Sequence, residues 1–494
     1  PPSPPRVQPL AAILSVATIV FLLAQMLIDH LRHKVDLLST RNIFYLGLIN
    51  FQFFPIATSL AVDSYMRKLI PGNPGLAGMI FVGMSWLFLL IFNIIYYRGW
   101  IGWGMARFIR SSFPVPSPNT LMVLAVVFLI LGAVNRFFIM TIPLINTLGA
   151  IFSIGFLSAA AGCAIWAWLP RMWNPIYAIP AAIVTLGSML VSMHLSFGRR
   201  DLLSVVLACV WAGYWGFLRE RGNFVIFTRL GGIGSVGVVL LALLSATRGE
   251  GGELRSIGQI IAQMRPTEIV AGIQHMSSVQ DSGPITLYLI DTRPKDFPYD
   301  PLHSLIYTVT QPIPRTMWED KPNALGQDIV KQAGVRGLAR GFSYGPGLMG
   351  HIANDNPYLA LPLYAAFFGV AICFLDRVCR LQMTNPFVII PLGAGLGELM
   401  AIPRGELGLF VFRCLFMFLT AWFGMWAIAR LMVAGGFQLA SADSGYAEDD
   451  PELDGSDQEW SEHDAQRETD PPAREDFRSL APYRAEFESR GGSA

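Results

Sequence analysis

Long runs of apolar residues alternate with short polar segments along most of this chain. The runs lie near 9–28, 42–62, 77–97, 119–142, 145–168, 174–197, 202–218, 223–246, 357–376, 384–402 and 407–432. Most are close to twenty residues long, the length at which an α-helix crosses the hydrocarbon core of a bilayer. The pattern therefore predicts an all-α polytopic membrane protein with about 11 transmembrane helices, in a range of roughly 10–13.

One long polar segment, 247–356, interrupts the runs and divides the chain. It separates N-terminal transmembrane helices at 9–246 from C-terminal ones at 357–432, and a tail follows at 433–494. A connection of this length is usually functional or disordered. Its regularly spaced Ile, Leu, Phe, Tyr and Trp residues favour a folded domain.

Local patterns subdivide the loop. They predict short amphipathic helices at 256–263 and 268–279, and a strand or short buried helix at 284–290. Six glycines then fall within 334–350. Glycine allows close approach of the backbone to a ligand, and the backbone N–H groups of such a segment can bind phosphate or sugar oxygens. A flexible loop without a ligand is the alternative interpretation.

The short loops differ in their content of Lys and Arg. One alternating set is richer, and by the positive-inside rule it should be cytoplasmic. This set contains Arg32, Lys34, Arg41, Arg98, Arg107, Arg110, Arg171, Arg219, Arg221, Arg377 and Arg380. The loop 247–356 is then predicted to be extracytoplasmic and the tail cytoplasmic.

The net charge of the chain is +1, but acidic and basic residues are unevenly distributed along the sequence. Residues 441–494 hold about sixteen of the 35 acidic residues and about five of the 36 basic ones, a composition typical of a disordered tail. The basic remainder suits an anionic lipid-linked substrate, or simply the headgroups of membrane lipids.

The five cysteines all lie in or beside apolar runs, so we expect neither a disulfide framework nor a zinc site in the loop. The sequence contains no phosphate-binding loop and no dinucleotide fingerprint. We therefore expect chemistry outside the cytoplasm without a metal, an organic cofactor or a nucleic-acid partner.

Three segments together carry a resemblance to a family. The sequence from Pro314 to Pro322, with Arg315, Trp318 and Lys321, resembles the PR-x-x-W-x-x-KP segment of bacterial O-antigen polymerases, also called oligosaccharide repeat unit polymerases. The stretch 341–351 resembles the G-x-S … G-E exit of that family's loop, with His351 where Glu is common. Arg404-Gly405-Glu406 is similar to an RG-D/E element before the last helix.

The sequence also resembles a second, related family. The segment from Asp355 to Leu359 is similar to the H-N-x-x-L signature of O-antigen ligases, with Asp355 in place of the His. The PR-x-x-W-x-x-KP segment favours polymerase over ligase. A flippase or transporter of lipid-linked sugars is an alternative of another class, but it would be expected to show two similar halves, and we find one asymmetric loop.

The resemblance implies polymerisation of undecaprenyl-pyrophosphate-linked oligosaccharides at the outer face of a bacterial cytoplasmic (inner) membrane, for surface or exopolysaccharide. A hydroxyl of one glycan attacks the anomeric carbon of another, and lipid pyrophosphate leaves. Such an enzyme works among membrane lipids and can have a chain-length regulator as partner. The reaction needs a base near the hydroxyl and fixed positive charge on the leaving group.

Arginine suits the leaving pyrophosphate because its fork matches phosphate oxygens and stays charged. The candidates for binding pyrophosphate or substrate are Arg136, Arg315, Lys321, Arg404 and Arg413. The alternative is that Arg136 and Arg413 form structural pairs with Glu398 or Glu406. For Arg199 and Arg200 we favour contacts with lipid headgroups.

The candidate bases are His351 and Asp355, which share a face if both lie on one helix. The alternative for Asp355 or Asn356 is a helix cap before Pro357. Trp318 is placed either to stack on a sugar ring or to anchor the loop at the membrane interface.

Overall fold

The computed structural model describes residues 7–65, 69–108, 115–142, 145–195, 199–229, 231–232, 235, 282–313, 317–334 and 343–436. Within these ranges the regular structure is helical, and no strand occurs. The predicted loop helices at 256–263 and 268–279, most of the predicted span 223–246 and the tail beyond 436 lie outside the described residues.

Nine helices in the described ranges are long and apolar enough to cross a membrane. They are α1 (Val7–Leu31), α2 (Thr40–Val62), α3 (Pro74–Arg98), α5 (Pro118–Phe137), α6 (Asn146–Trp168), α7 (Pro175–Met193), α8 (Arg199–Gly213, extended by a π-helical turn Tyr214–Leu218), α13 (Pro357–Leu381) and α16 (Leu407–Ala434). This confirms an all-helical chain that fits a polytopic membrane protein.

The remaining helices are shorter. They are α4 (Trp100–Ala106), α9 (Ser282–Thr292), α10 (His303–Thr310), α11 (Leu325–Gln332), α12 (Gly347–Asn354), α14 (Pro386–Ala394) and α15 (Leu396–Ala401). The run predicted as one span at 384–402 is divided between α14 and α15 at Gly395. The segment 284–290, for which strand and helix were both open, is the buried helix α9.

A polar residue followed by proline begins five of these helices. The side-chain oxygens of Asn73, Ser117, Asn174, Asn356 and Asn385 each accept a hydrogen bond from a backbone N–H in the first turn. Proline fits the first helical position because the N–H that it lacks has no partner there in any case. Such a pair of residues is a local signal in the sequence for the start of a helix.

Helix α2 contains a π-helical turn at Ile49–Phe53, and its central residue Phe51 is equidistant from the ends of α2. The carbonyl of Phe51 accepts a hydrogen bond from the Ser282 hydroxyl at the start of α9. Gln52 donates from Nε2 to the carbonyl of Pro403 at 2.7 Å. π-Helical turns often occur at functional sites.

Helix α12 also begins beside the middle of α2. Its first residue, Gly347, donates its N–H to the carbonyl of Gly405 at 3.2 Å. Helices α9 and α12 pack against each other, so both start halfway along α2. Irregular backbone such as the 402–406 turn is tolerated at this depth when protein surrounds it. This part of the loop segment therefore reaches into the helix bundle.

Charged contacts mark two ends of the bundle. At the end that we call the loop end, Arg136, near the end of α5, contacts Asp201 at the start of α8. At the other end, which we call the far end, the Asp376 carboxylate accepts the N–H groups of Thr40 and Arg41 at 2.6 and 3.3 Å. It thereby stabilises the positive N-terminus of α2.

We expect the loop end to face the outside, because the richer set of Lys and Arg residues lies at the far end. Glu319→Cys, in the loop, and Glu220→Cys, at the far end, both replace exposed residues. A membrane-impermeant maleimide should label the first and not the second in intact cells. The reverse labelling pattern would invert the topology.

Candidate functional site

A buried ionic cluster lies at the loop end, where α5, α8, α15 and α16 meet. Asp201 stands between two arginines: Oδ2 lies 3.1 Å from Arg136 Nη2, and Oδ1 lies 3.2 Å from Arg413 Nη2. The Asp201 and Arg136 side chains are almost fully buried. Arg136 also donates to the carbonyls of Ser192 and His194 at the end of α7. These contacts connect α5, α7, α8 and α16.

Glu398 adds a second carboxylate to this cluster. Its Oε1 lies 2.7 Å from Arg413 Nε, and its side chain is completely buried. This contact is an ion pair at hydrogen-bond distance, while Glu398 Oε2 and Arg136 Nη1 are buried without a hydrogen-bond partner among the described residues. Buried polar atoms normally have one. The cluster therefore has unused capacity to bind water or a polar ligand.

Arg200 lies at the open side of the cluster. Its Nε is 3.9 Å from Glu398 Oε1 and 4.0 Å from Asp201 Oδ1, too far for hydrogen bonds. The guanidinium lies over the Phe410 ring at 5.1 Å, and 21% of the side chain is exposed. Arg404 is close enough to repel this charge, and its guanidinium lies over the Phe51 ring at 5.5 Å.

We call this group the arginine cluster and define it by Arg136, Arg200, Arg404, Arg413, Asp201 and Glu398. The guanidinium groups of Arg136, Arg200 and Arg413 lie within 4.0 Å of the two carboxylates. Ionisable side chains inside a membrane protein usually pair with one another and often mark a functional site.

The structure brings together three of the cations named from the sequence, Arg136, Arg404 and Arg413. Arg413 does have the structural partner Glu398, whereas Arg136 pairs with Asp201, which the sequence did not single out. Arg200, expected to contact lipid headgroups, belongs to the cluster. Arg315 and the Arg199 side chain lie outside the described residues.

His351 is buried in a second network, and both of its ring nitrogens are occupied. Nε2 accepts the backbone N–H of Leu407 at 3.0 Å, so Nδ1 carries the proton and donates to Ser304 Oγ at 2.6 Å. Burial and, to a smaller extent, the neighbouring His303 lower the pKa of His351 to about 3. The ring is a neutral structural link between α10, α12 and α16 in this conformation.

Asp355 shares the partner Ser304 with His351. Its carboxylate accepts the Ser304 N–H at 2.9 Å, the Tyr364 hydroxyl and the Asn354 amide. Burial raises the pKa of Asp355, while these hydrogen bonds act in the opposite direction. The side chain is therefore turned inward, and the helix cap before Pro357 is Asn356.

The Glu406 carboxylate caps the start of α11, which lies about 80 residues earlier in the sequence. Its two oxygens accept the N–H groups of Leu325 and Gly326 at 2.9 and 3.2 Å, and Oε1 lies 3.7 Å from His351 Nε2. Burial raises the pKa of Glu406 to about 7, against the effect of the two N–H donors. Such a long-range cap leaves no local signal in the sequence.

A polar cleft of about 320 Å³ opens between α10 and α11. Its polar lining comes from Asp300, His303, Asp320, Lys321, Asn323 and Asp328. His303 lies between two acceptors, Asp300 Oδ2 at 2.7 Å from Nδ1 and the Asn323 carbonyl at 3.1 Å from Nε2. The Asp300 side chain is 60% exposed, so its carboxylate can reach a bound molecule.

The Lys-Pro end of the PR-x-x-W-x-x-KP segment, Lys321 and Pro322, lines this cleft. Lys321 lines the cleft, and its Nζ donates to the carbonyls of Gln311 and Ile313 at 3.2 and 3.0 Å. The ammonium therefore holds the chain that leads to Arg315. Trp318 is 38% exposed, which leaves part of its ring available for either of its predicted roles.

The glycine-rich segment approaches protein backbone in its described part. A Cβ on Gly345 would lie 2.6 Å from the Arg404 carbonyl oxygen, and one on Gly347, which has a φ of +68°, would collide with Gln52. These two glycines let the chain pack against the 402–406 turn beneath Arg404. Gly337 and Gly341 lie outside the described residues.

In the part of the chain that the structure describes, no group of three or more His, Cys, Asp or Glu side chains could hold a metal ion. No family model matches the sequence, and no curated protein or solved structure matches the chain.

Removing one member of the Arg136–Asp201 pair should destabilise the protein by about 3–5 kcal/mol, because the other charge stays buried without it. We expect this loss for Arg136→Gln and for Asp201→Asn, measured by thermal unfolding in detergent. The double variant should lose less than the two single losses together. Exposed Arg171→Gln is the matched control; additive losses would show that the pair is not coupled.

The ionisation of Glu406 should make stability depend on pH. Since burial raises its pKa from 4.5 to about 7, the folded protein holds this proton more tightly than the unfolded chain. The free energy of unfolding of the wild type, relative to Glu406→Gln, should therefore fall by roughly 3 kcal/mol as the pH rises through this interval. Unfolding curves at several pH values measure it, and a pH-independent difference would contradict the assignment.

Proposed function

We propose that this protein is a membrane glycosyltransferase that joins lipid-pyrophosphate-linked oligosaccharides at the loop end, as the O-antigen polymerases do. One lipid-linked glycan donates its sugar chain, and a second provides the acceptor hydroxyl. The arrangement of the loop-end residues and the resemblance of 314–322, 341–351 and 404–406 support the proposal.

The observation that carries the proposal is the convergence of several arginine side chains at one place at the loop end, with Arg200 partly exposed at its open side. A diphosphate that joins a lipid to a sugar is a diester with two negative charges, which guanidinium groups are suited to bind. Arg200 and the neighbouring Arg404 are the members that we expect to contact it. Arginine binds phosphate oxygens with two parallel hydrogen bonds.

The chemistry requires more than binding. As the bond between the anomeric carbon and the pyrophosphate oxygen breaks, the leaving oxygen gains negative charge, and fixed guanidinium groups stabilise it most at that moment. The new bond forms between the anomeric carbon and the acceptor oxygen, and the hydroxyl proton passes to a base. In a site shielded from water these charge interactions are stronger than in solution.

The polar cleft is our candidate for the acceptor glycan. Its carboxylates and amide are suited to hydrogen bonds with sugar hydroxyls. Because His351 and Asp355 are turned inward, we assign the proton-accepting role in this proposal to Asp300, whose carboxylate is exposed and paired with His303. A ligase would use the same leaving group with a different acceptor, so only the acceptor distinguishes the two.

Arg404→Ala and Arg200→Gln should each reduce the rate of polymer formation by about a hundredfold to a thousandfold. Arg315→Ala should do the same if its motif has the proposed role. Arg404→Lys should also be poor, because an ammonium cannot make the two-pronged contact. The assay follows the polymer ladder formed by membranes supplied with lipid-linked repeat units.

Arg171→Ala, at the far end, is the control for a lost surface cation and should retain the normal ladder. Single repeat units should accumulate in the defective variants. A near-normal ladder from Arg404→Ala and Arg200→Gln at normal membrane levels would remove both residues from the reaction. Transfer to a lipid core acceptor, without polymer, would instead favour the ligase alternative.

A further inference from the structure

A second cleft, of about 220 Å³, lies at the far end between α3, α4 and α13. Arg98 is the single charged residue of its lining among the described residues, and the rest of the lining is mainly apolar. The cleft is assigned to the far end because its wall includes Cys373. Cys373 lies three residues before Asp376, whose carboxylate caps the start of α2. The cleft is thus separate from the arginine cluster.

The backbone creates this cleft. Gly99 ends α3 with a φ of +61°, a left-handed conformation that turns the chain into α4. Gly102 brings α4 close to α13, because a Cβ there would lie 2.8 Å from Cys373 Sγ and 3.0 Å from the backbone N of Phe374. Helix α4 therefore lies against α13 and leaves an apolar opening beside it.

The surroundings of the cleft have the composition of a membrane interface. Trp100 and Ile101 line it and are 75% and 61% exposed, and Trp103 stacks under the Arg377 guanidinium at 4.4 Å. Tryptophan concentrates at the level of lipid headgroups. Arg98 makes no hydrogen bond or ion pair with the described residues, so its guanidinium is available at the rim.

We propose that this cleft binds an anionic phospholipid, with part of an acyl chain in the apolar opening and the phosphate against Arg98. The volume is below that of most drug-sized sites, which favours a hydrocarbon chain over a sugar or a nucleotide. A cationic rim without an acidic side chain favours an anionic headgroup over a zwitterionic one. The site is independent of the glycosyltransferase proposal.

Native mass spectrometry of the detergent-purified protein tests the proposal, with phosphatidylglycerol and phosphatidylcholine of the same acyl chains as probes. The wild type should retain phosphatidylglycerol more strongly. Arg98→Gln should reduce this preference by roughly fivefold, the effect of one cation close to an anionic headgroup. Val370→Phe, which adds bulk to the wall of the cleft, should weaken binding of both lipids.

Arg171→Gln is the matched control, because it removes another arginine from a loop at the far end. It should leave the preference unchanged. Equal retention of the two lipids by the wild type, or equal losses in Arg98→Gln and Arg171→Gln, would overturn the proposal. Wild-type binding by Val370→Phe would also overturn it, since the cleft would then not be the site.

Discussion

The fold of the loop end depends on the neutralisation of charge away from water. Asp201 is buried between Arg136 and Arg413, and separating such charges from their partners would be far more costly than separating an exposed pair. Each of the three residues comes from a different helix. The packing of α5, α8 and α16 is therefore coupled to the same atoms that give the site its charge.

This coupling has a consequence for function. The residues that pair within the cluster also position Arg200 at its open side, against the ring of Phe410. Arg404, which is part of the 402–406 turn, lies against the ring of Phe51. The turn itself is held by Gln52 in the π-helical part of α2. The position of Arg404 thus follows from packing at the centre of the bundle.

Much of the fold could be predicted from the sequence because its signals are local. The lengths of the apolar runs predicted most spans, and the polar residue before Pro357 indicated a helix start, which is capped by Asn356. Two features could not be predicted in this way. One is the division of the run 384–402 into two helices at Gly395, and the other is the start of α9 and α12 beside Phe51, inside the helix bundle. Both depend on contacts between distant segments, such as that of Ser282 with Phe51.

The candidate site was predictable to a similar degree. Charge within an apolar run is conspicuous, so Arg136 and Arg413 stood out, and the structure places both in one cluster. Their partner Asp201 follows two arginines at a helix start and resembled an ordinary surface residue. His351 and Asp355 have suitable chemistry for a base, but sequence spacing cannot show that Ser304 and Leu407 engage them in the interior.

The central claim is that the arginine cluster binds a diphosphate, and direct binding to the purified protein tests it. Farnesyl pyrophosphate, a short lipid diphosphate, can be titrated calorimetrically in detergent, with farnesol as the uncharged control and inorganic pyrophosphate as competitor. The account predicts binding of farnesyl pyrophosphate but not farnesol, competition by pyrophosphate, and a clear loss of affinity in Arg200→Gln and Arg404→Ala. Equal binding of farnesol, or unchanged affinity in both folded variants, would contradict it.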